Sequence, residues 1–158
     1  MEDITFCNLF KLLNSNSNHI EKIKDSYLLL LSELTITNCL ETDLFITNLK
    51  KIEEHGEIIV AYIGSIDDNS FDIIASGTII IEPKIIRNGK SVGHIEDIVV
   101  RQDFRGKGIS QQILYILKQT ALKQNCYKVI LDCSEEVKNV YIKNGFQIKG
   151  YQMAEYFE

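Results

Sequence analysis

The segment Arg101-Gln102-Asp103-Phe104-Arg105-Gly106-Lys107-Gly108-Ile109-Ser110 gathers the residue types that hold an anion. Glycines let the backbone approach a ligand, and where they open a helix the first free N–H groups and the helix dipole attract negative charge. Arg105 and Lys107 add cations to an otherwise acidic chain. A diphosphate is the anion this pattern suits. The spacing is not the G-x-x-x-x-G-K-[ST] of a nucleotide P-loop, and a glycine-rich turn with two solvated cations is the plainer alternative. A second group of residues suits proton transfer and polar recognition: Glu96 and Asp97, Asp132, and Tyr141. A phenol is neutral, and so a donor, at working pH. Adjacent residues on a strand point to opposite faces, so Glu96 and Asp97 are not expected to act as a pair on one surface. On residue type alone Asp132 reads more readily as a helix cap, and Tyr141 as a core tyrosine before the turn at Asn144-Gly145.

These residues need elements to position them. The loop lies between an apolar segment, Val92 to Val100, and an amphipathic one, Ile109 to Gln124, with Ile113, Ile116, Leu117 and Ala121 at helical spacing. Upstream, Ile58 to Ile63 and Phe71 to Ile81 are rich in β-branched residues, the second interrupted by Gly77. Asn88-Gly89 predicts the hairpin between Phe71–Ile81 and Val92–Val100, since both central residues of that turn need positive φ. Downstream, Tyr127 to Asp132 reads as a strand, Glu135 to Lys143 as a short helix, and Phe146 to about Tyr156 as a last strand. In the first third, Ile4 to Leu9 could open the sheet, and Asn14 to Asn18 favours turns. Asn18 is then a candidate cap for a helix carrying Ile20, Ile23, Tyr27, Leu30, Leu31 and Leu34, with a second helix from about Glu41 to Lys51. Two helices, an antiparallel meander and then β-α-β-α-β predict a mixed α/β domain spanning residues 1–158, with no repeat or linker.

Composition agrees. At 158 residues, 45% hydrophobic and 25% charged, the chain has the make-up of one packed domain. Seventeen Lys+Arg against 22 Asp+Glu give −5, which argues against a broad nucleic-acid surface. No apolar run approaches the roughly 18–20 residues that span a bilayer. The start Met1-Glu2-Asp3 lacks the basic-then-apolar shape of a secretory leader, which predicts a cytoplasmic location. Cys7, Cys39, Cys126 and Cys133 are scattered without a C-x-x-C pair, so reduced thiols are expected and no metal site.

The order strand, R-G-K-G-I-S, helix, strand, tyrosine-bearing helix and Gly-Phe resembles the GNAT superfamily of acetyl-CoA-dependent N-acetyltransferases. Arg105, Gly108 and Ser110 occupy the places of its Q/R-x-x-G-x-G/A loop. Gly77 to Ile86, Gly93 to Val100, Asn125 to Cys133 and Tyr141 to Phe146 are similar, block by block and in order, to the family of glucosamine 6-phosphate N-acetyltransferases, and Leu34-Thr35 extends the likeness forward. It covers roughly residues 26–153.

The resemblance implies a mixed, largely antiparallel sheet flanked by helices, and a strand before the loop that splays from its neighbour. Acetyl-CoA is then the expected cosubstrate, met by Ile98, Val99, Val100, Arg105, Gly106, Lys107, Gly108, Ile109, Ser110 and Tyr141. It implies the Ile98 N–H as oxyanion donor, Tyr141 as acid for the CoA thiolate, and Asp132, with Glu96, orienting the amine. Glucosamine 6-phosphate would meet Thr35, Lys84, Arg87, Glu96, Asp97, Tyr127 and Lys128, some from the second subunit of a homodimer. Transfer would be direct, leaving Cys126 and Cys133 structural, and would serve UDP-N-acetylglucosamine biosynthesis. Two residues depart from the family pattern: Tyr156 stands where it has a phosphate-gripping arginine, and Val137 where it has a cofactor-contacting asparagine, with Asn139 two residues on. An acetyltransferase for a different amine and a catalytically silent CoA-binding domain therefore stay open beside the leading expectation.

Overall fold

A computed structural model describes residues 3–157; Met1 and Glu2, part of the acidic start, lie outside the described residues. A five-stranded sheet has the order β1-β2-β3-β4-β5, formed by Thr5–Asn8, Gly56–Ile63, Asp72–Pro83, Ser91–Val100 and Cys126–Ile130. The first three pairings are antiparallel and β4 pairs with β5 in parallel, as expected when a helix connects them. Helices α1 (Leu9–Ser15), α2 (Ile20–Leu31) and α3 (Thr42–His55) cover one face, and α5 (Ile109–Lys123) the other. A one-turn segment, α4 (Ile86–Gly89), lies in the β3–β4 connection, and the short α6 (Lys138–Lys143) follows β5.

Alternation along the strands sorts the core into two layers. Ile58 and Val60 of β2 face Ile23, Tyr27, Leu30, Phe45 and Leu49, while Ile59, Ala61 and Ile63 face Ile113, Leu114 and Leu117. Lys24, buried under α3, donates to Thr42 Oγ1 at 2.7 Å and pairs with Glu21 at 2.7 Å. None of the described helices is long and apolar enough to cross a membrane.

Several expectations need correction. Asn18 lies in a 3₁₀ turn, Ser17–His19, and does not cap α2, whose first turn begins after His19 without a side-chain bond. The polar run closes an unforeseen helix, α1, instead of opening one. Asn8 Oδ1 caps the start of α1 by accepting the Lys11 N–H at 2.9 Å, and the Asn16 N–H bonds Leu13 O at 3.1 Å at its end. Leu34 lies beyond α2 and is exposed. The hairpin turn has the expected positive φ at Asn88 and Gly89, but Arg87 shares it, so the connection is longer than two residues. The segment from Phe146 to Tyr156 forms no strand among the described residues, although the outer edge of β5 is left unpaired. Ile148, Tyr151, Met153 and Tyr156 are exposed along it.

Candidate functional site

Pairing between β4 and β5 runs from Ser91↔Cys126 to His94↔Ile130 and stops. Beyond that point the two strands part and enclose a cleft of about 1210 Å³. The wall on the β4 side carries a bulge. Ser76 pairs with Val99 and Thr78 with Glu96, so β4 spends three residues where β3 spends two. Asp97, at φ 52°, takes up the extra residue. The consequence is a change of phase: Ile95 and Ile98 both pack toward α5 although they are three apart. Glu96 and Asp97 are thereby both exposed to the cleft, contrary to the alternation expected from an unbroken strand.

Past the bulge the backbone regains its phase. The Arg101 N–H bonds Ile74 O on β3 at 2.8 Å, and Val100 O accepts from Arg105 Nε at 2.9 Å on the open side. Alternation then turns the N–H and C=O of Ile98 toward the same open side as those of Val100. Ile98, Val99 and Val100 line the cleft.

The floor is the loop into α5. Gly106 and Gly108 adopt φ 78° and 77°, a left-handed conformation that costs other residues strain, and a methyl on either would project into empty space. Gly108 precedes α5 and supplies no side-chain cap, so the N–H groups of Ile109, Ser110 and Gln111 have no intrahelical partner. Gly108 O accepts the Gln112 N–H at 3.1 Å, starting the regular ladder. Arg105 is more than half exposed beside these donors. Phe104 anchors the loop in the core, with the Arg101 guanidinium 4.7 Å and the Lys107 ammonium 4.4 Å from its ring centre. Lys107 is thus committed to Phe104 and does not line the cleft.

The far wall comes from Asp132 to Ser134 and from α6, where Val137, Val140, Tyr141 and Asn144 present one helical face. Asn139 is not on that face. Tyr141 packs edge-on against Phe146, with ring centres 6.0 Å apart, and its burial, with Cys133 nearby, pushes the phenol above its ordinary value. Burial, then Asp97 and Asp132, raise the Glu96 carboxyl above its ordinary value, partly offset by His94. Cys133 is exposed on this wall, so packing does not account for it.

The predicted residues divide into two regions. Glu96 to Val100, Arg105, Gly106, Gly108, Ile109, Ser110, Asp132 and Tyr141 converge on the cleft. Thr35 does not line the cleft; it follows the lining residue Leu34, with its N–H bonded to Leu31 O at 3.2 Å. Lys84, Arg87, Tyr127 and Lys128 do not line the cleft. They gather at the opposite end of the sheet, where Arg87 and Lys128 lie 5.4 Å and 5.6 Å from the Tyr127 ring centre and Lys84 pairs with Glu82 at 2.5 Å. Five residues of β4, roughly 17 Å at the usual rise, separate Ser91 at that end from Glu96. Sequence reading missed Glu33, Gln111 and Asn144 as lining residues. Glu33 and Gln111 leave no such pattern, but Asn144, three residues after Tyr141, follows from helical spacing.

Over residues 19–146 the chain matches the Acetyltransferase (GNAT) family. It is 36% identical over 135 residues to glucosamine 6-phosphate N-acetyltransferase of Arabidopsis thaliana, covering 85% of this chain and 90% of that one. With glucosamine 6-phosphate N-acetyltransferase 1 of Dictyostelium discoideum it shares 39% identity over 112 residues, 71% of each chain. The crystal structure of the Arabidopsis thaliana glucosamine-6-phosphate N-acetyltransferase superimposes with a TM-score of 0.84 at 32% identity, covering 99% of this chain and 100% of that one. A split between parallel strands, an uncapped helix N-terminus beneath it and these relatives agree: the chain belongs to the GNAT family of acetyltransferases.

Proposed function

We propose that the protein transfers the acetyl group of acetyl-CoA to the nitrogen of glucosamine 6-phosphate. The parting of β4 from β5 after His94 and Ile130 carries the reading. It sets an anion-binding helix terminus and a wall of carboxylates on either side of one opened strand. The diphosphate of acetyl-CoA sits on the N–H groups from Gly106 to Ser110 and beside Arg105, where the helix dipole favours it. The acyl arm runs along Ile98 to Val100, and the Ile98 N–H donates to the acetyl oxygen as it gains charge. Asp132 and Glu96 orient the amine and take its proton. The nitrogen forms a bond to the acyl carbon, the carbon–sulfur bond breaks, and the departing thiolate takes the proton of Tyr141, a phenol that burial keeps neutral. Attack is direct, so no acyl-enzyme on Cys133 is required.

The sugar phosphate is a dianion, and among the described residues the cations lining the cleft are Arg105 and Lys143. The group at Lys84, Arg87, Tyr127 and Lys128 lies too far away to serve this cleft in the same chain. We place it at the cleft of a second copy, in a homodimer with shared sites, acting in the cytoplasm on the way to UDP-N-acetylglucosamine. The exposed apolar residues of the C-terminal segment support such an assembly. Sedimentation should give a dimer, and mixing and refolding Lys84→Ala with Tyr141→Phe should recover activity that neither has alone.

The deciding assay is thiol release with acetyl-CoA and glucosamine 6-phosphate, with the product confirmed by mass. No release with this sugar, alongside turnover of another amine, overturns the assignment. Tyr156, at the place of the family's phosphate-gripping arginine, favours one second reading, an amine without a phosphate, and a panel of amines separates the two.

A further inference from the structure

Glu33 lines the cleft between the loop before α5 and the turn bearing Leu34 and Thr35, and serves no step above. It follows α2 in a turn closed by its own N–H to Leu30 O at 3.1 Å, by Leu34 N–H to Leu31 O at 2.9 Å and by Thr35 N–H to Leu31 O at 3.2 Å. Its carboxylate crosses to the loop before α5. There one oxygen, Oε2, accepts from the Gln102 backbone N–H at 3.0 Å and from Arg105 Nη2 at 3.3 Å. Helix α2 reaches the same loop once more, since Ser26 Oγ donates to Asp72 at 3.2 Å and Asp72 pairs with Arg101. The loop is thus fixed at Arg101 and again at Gln102 and Arg105, and Glu33 alone also belongs to the turn bearing Leu34 and Thr35.

A carboxylate in a cleft built for a diphosphate should repel it. Here its charge is directed to two donors, and the same contacts hold the Arg105 guanidinium beside the free N–H groups of α5. We propose that Glu33 is a positioning residue that locks the cofactor loop to the turn carrying Leu34 and Thr35, so that filling the cofactor side orders the acceptor side. This rests on the loop binding acetyl-CoA, but not on which amine is acetylated.

The test uses Glu33→Ala and Glu33→Gln in the full chain. Glu33→Ala should raise KM for acetyl-CoA about tenfold, the scale of losing charge-assisted bonds, while kcat at saturation changes by less than about threefold. Glu33→Gln keeps an oxygen acceptor for both donors and should recover most of the loss. In hydrogen exchange, CoA added to the wild-type protein should slow the amides of residues 33–37 as well as those of the loop, whereas in Glu33→Ala the slowing should stay within the loop. Wild-type KM in Glu33→Ala, or equal slowing of residues 33–37 in both proteins, overturns the proposal. If the wild-type protein takes up no CoA, the cofactor reading falls and takes this proposal with it. If it takes up CoA but rejects glucosamine 6-phosphate, the acceptor assignment falls and the role of Glu33 is still judged by the exchange data.

Discussion

Substituting Gly77 by alanine should disturb the cleft from behind. Gly77 lies on β3 opposite the bulge, and an added Cβ would stand 2.5 Å from Ile98 Cδ1, 2.7 Å from Ile113 Cγ2 and 3.2 Å from Leu117 Cδ1. Ordinary carbon contacts are about 3.5–4.0 Å, so Ile98 and Ile113 must each give way by about 1 Å, or the Gly77 backbone must back away from both. Overpacking of this kind costs about 1–3 kcal/mol, and the narrower unfolded ensemble of alanine offsets about 0.4–1 kcal/mol. The net loss is about 1–2 kcal/mol, which in a chain of this size lowers Tm by roughly 2–8 °C. The larger effect should be on turnover. Ile98 carries the proposed oxyanion donor on its backbone, and whatever part of the Cδ1 retreat is passed on to that N–H lowers the rate, a full 1 Å costing on the order of 100-fold. Thermal unfolding and thiol-release kinetics on the same preparation measure both effects. Ile98→Val removes the Cδ1 atom and by itself should cost about 0.5–1.5 kcal/mol. Combined with Gly77→Ala, it should relieve part of the damage, giving a favourable coupling of at least about 0.5 kcal/mol. A Gly77→Ala protein with wild-type Tm and kcat, or strictly additive effects in the double variant, would refute the packing of Ile98 against Gly77 as the support of the bulge.

Other substitutions probe the remaining parts of the cleft. Tyr141→Phe should lower kcat by about 100-fold or more. Burial and Cys133 raise the phenol, so it stays protonated past its ordinary pKa of about 10; an alkaline limb near pH 8 that vanishes in this variant would contradict the raised phenol, and wild-type kcat in the variant would contradict its role as the acid. His94 holds the Glu96 carboxyl down against burial, Asp97 and Asp132, so His94→Gln should shift the acid limb of kcat/KM for the amine to higher pH; no shift, or a downward one, would count against the arrangement. Because folding raises the Glu96 pKa, its contribution to stability is present below the unfolded value and lost as pH rises through the folded one. Glu96→Gln should therefore raise Tm at pH 7 but not at pH 4, while impairing turnover. Gly106→Ala and Gly108→Ala place a methyl in open space at left-handed φ, costing about 1–2 kcal/mol of stability each. Calorimetry should show CoA affinity falling by more than that strain accounts for, and unchanged affinity would remove the diphosphate from this loop.

The sheet and its loop were legible because their signals are local. β-branched runs marked β2 and β3, Asn88-Gly89 marked the hairpin, and Gly106 to Ser110 marked the start of α5. The bulge was legible only in retrospect. Ile95 and Ile98, three apart in a strand that otherwise alternates, carry its signature, but only the neighbouring strand shows which residue is extra. Glu33 left no trace, since its partners lie 69 and 72 residues away and a lone glutamate after a helix resembles a solvated charge. Asn8 and Asn16 show the limit of reading polar residues by type: asparagine caps either end of a helix, and only the apolar residues between them, Leu9, Leu12 and Leu13, told which side was helical. The segment from Phe146 to Tyr156 alternates over Phe146–Ile148 and again over Tyr151–Met153 with its phase broken at Lys149-Gly150, and such a period carries no information about whether a sheet edge takes it up.

The distribution of charge explains how an acidic protein can be built for two anionic substrates. At the floor of the cleft attraction comes mainly from backbone: uncapped N–H groups of α5 and one arginine, which require little net positive charge. The carboxylates of Glu96, Asp97 and Asp132 lie instead on the side proposed to receive the amine, and burial, then repulsion from Asp97 and Asp132, makes Glu96 a stronger proton acceptor than an isolated glutamate. That same wall would repel a phosphate on the sugar's far end unless cations were brought to it from elsewhere. Lys84, Arg87 and Lys128 are available on the surface, but at the wrong end of β4 for their own cleft. A twofold axis bringing the hairpin end of one chain to the open end of β4 in another would join the two half-sites without altering either fold. If Lys84→Ala raised KM for glucosamine 6-phosphate and left KM for acetyl-CoA unchanged, while a forced monomer showed the same selective loss, that joining of half-sites would account for both. Were the monomer fully active with the sugar phosphate, the cations at the hairpin would be surface charges and the phosphate would have to be held by Lys143 or Arg105 alone.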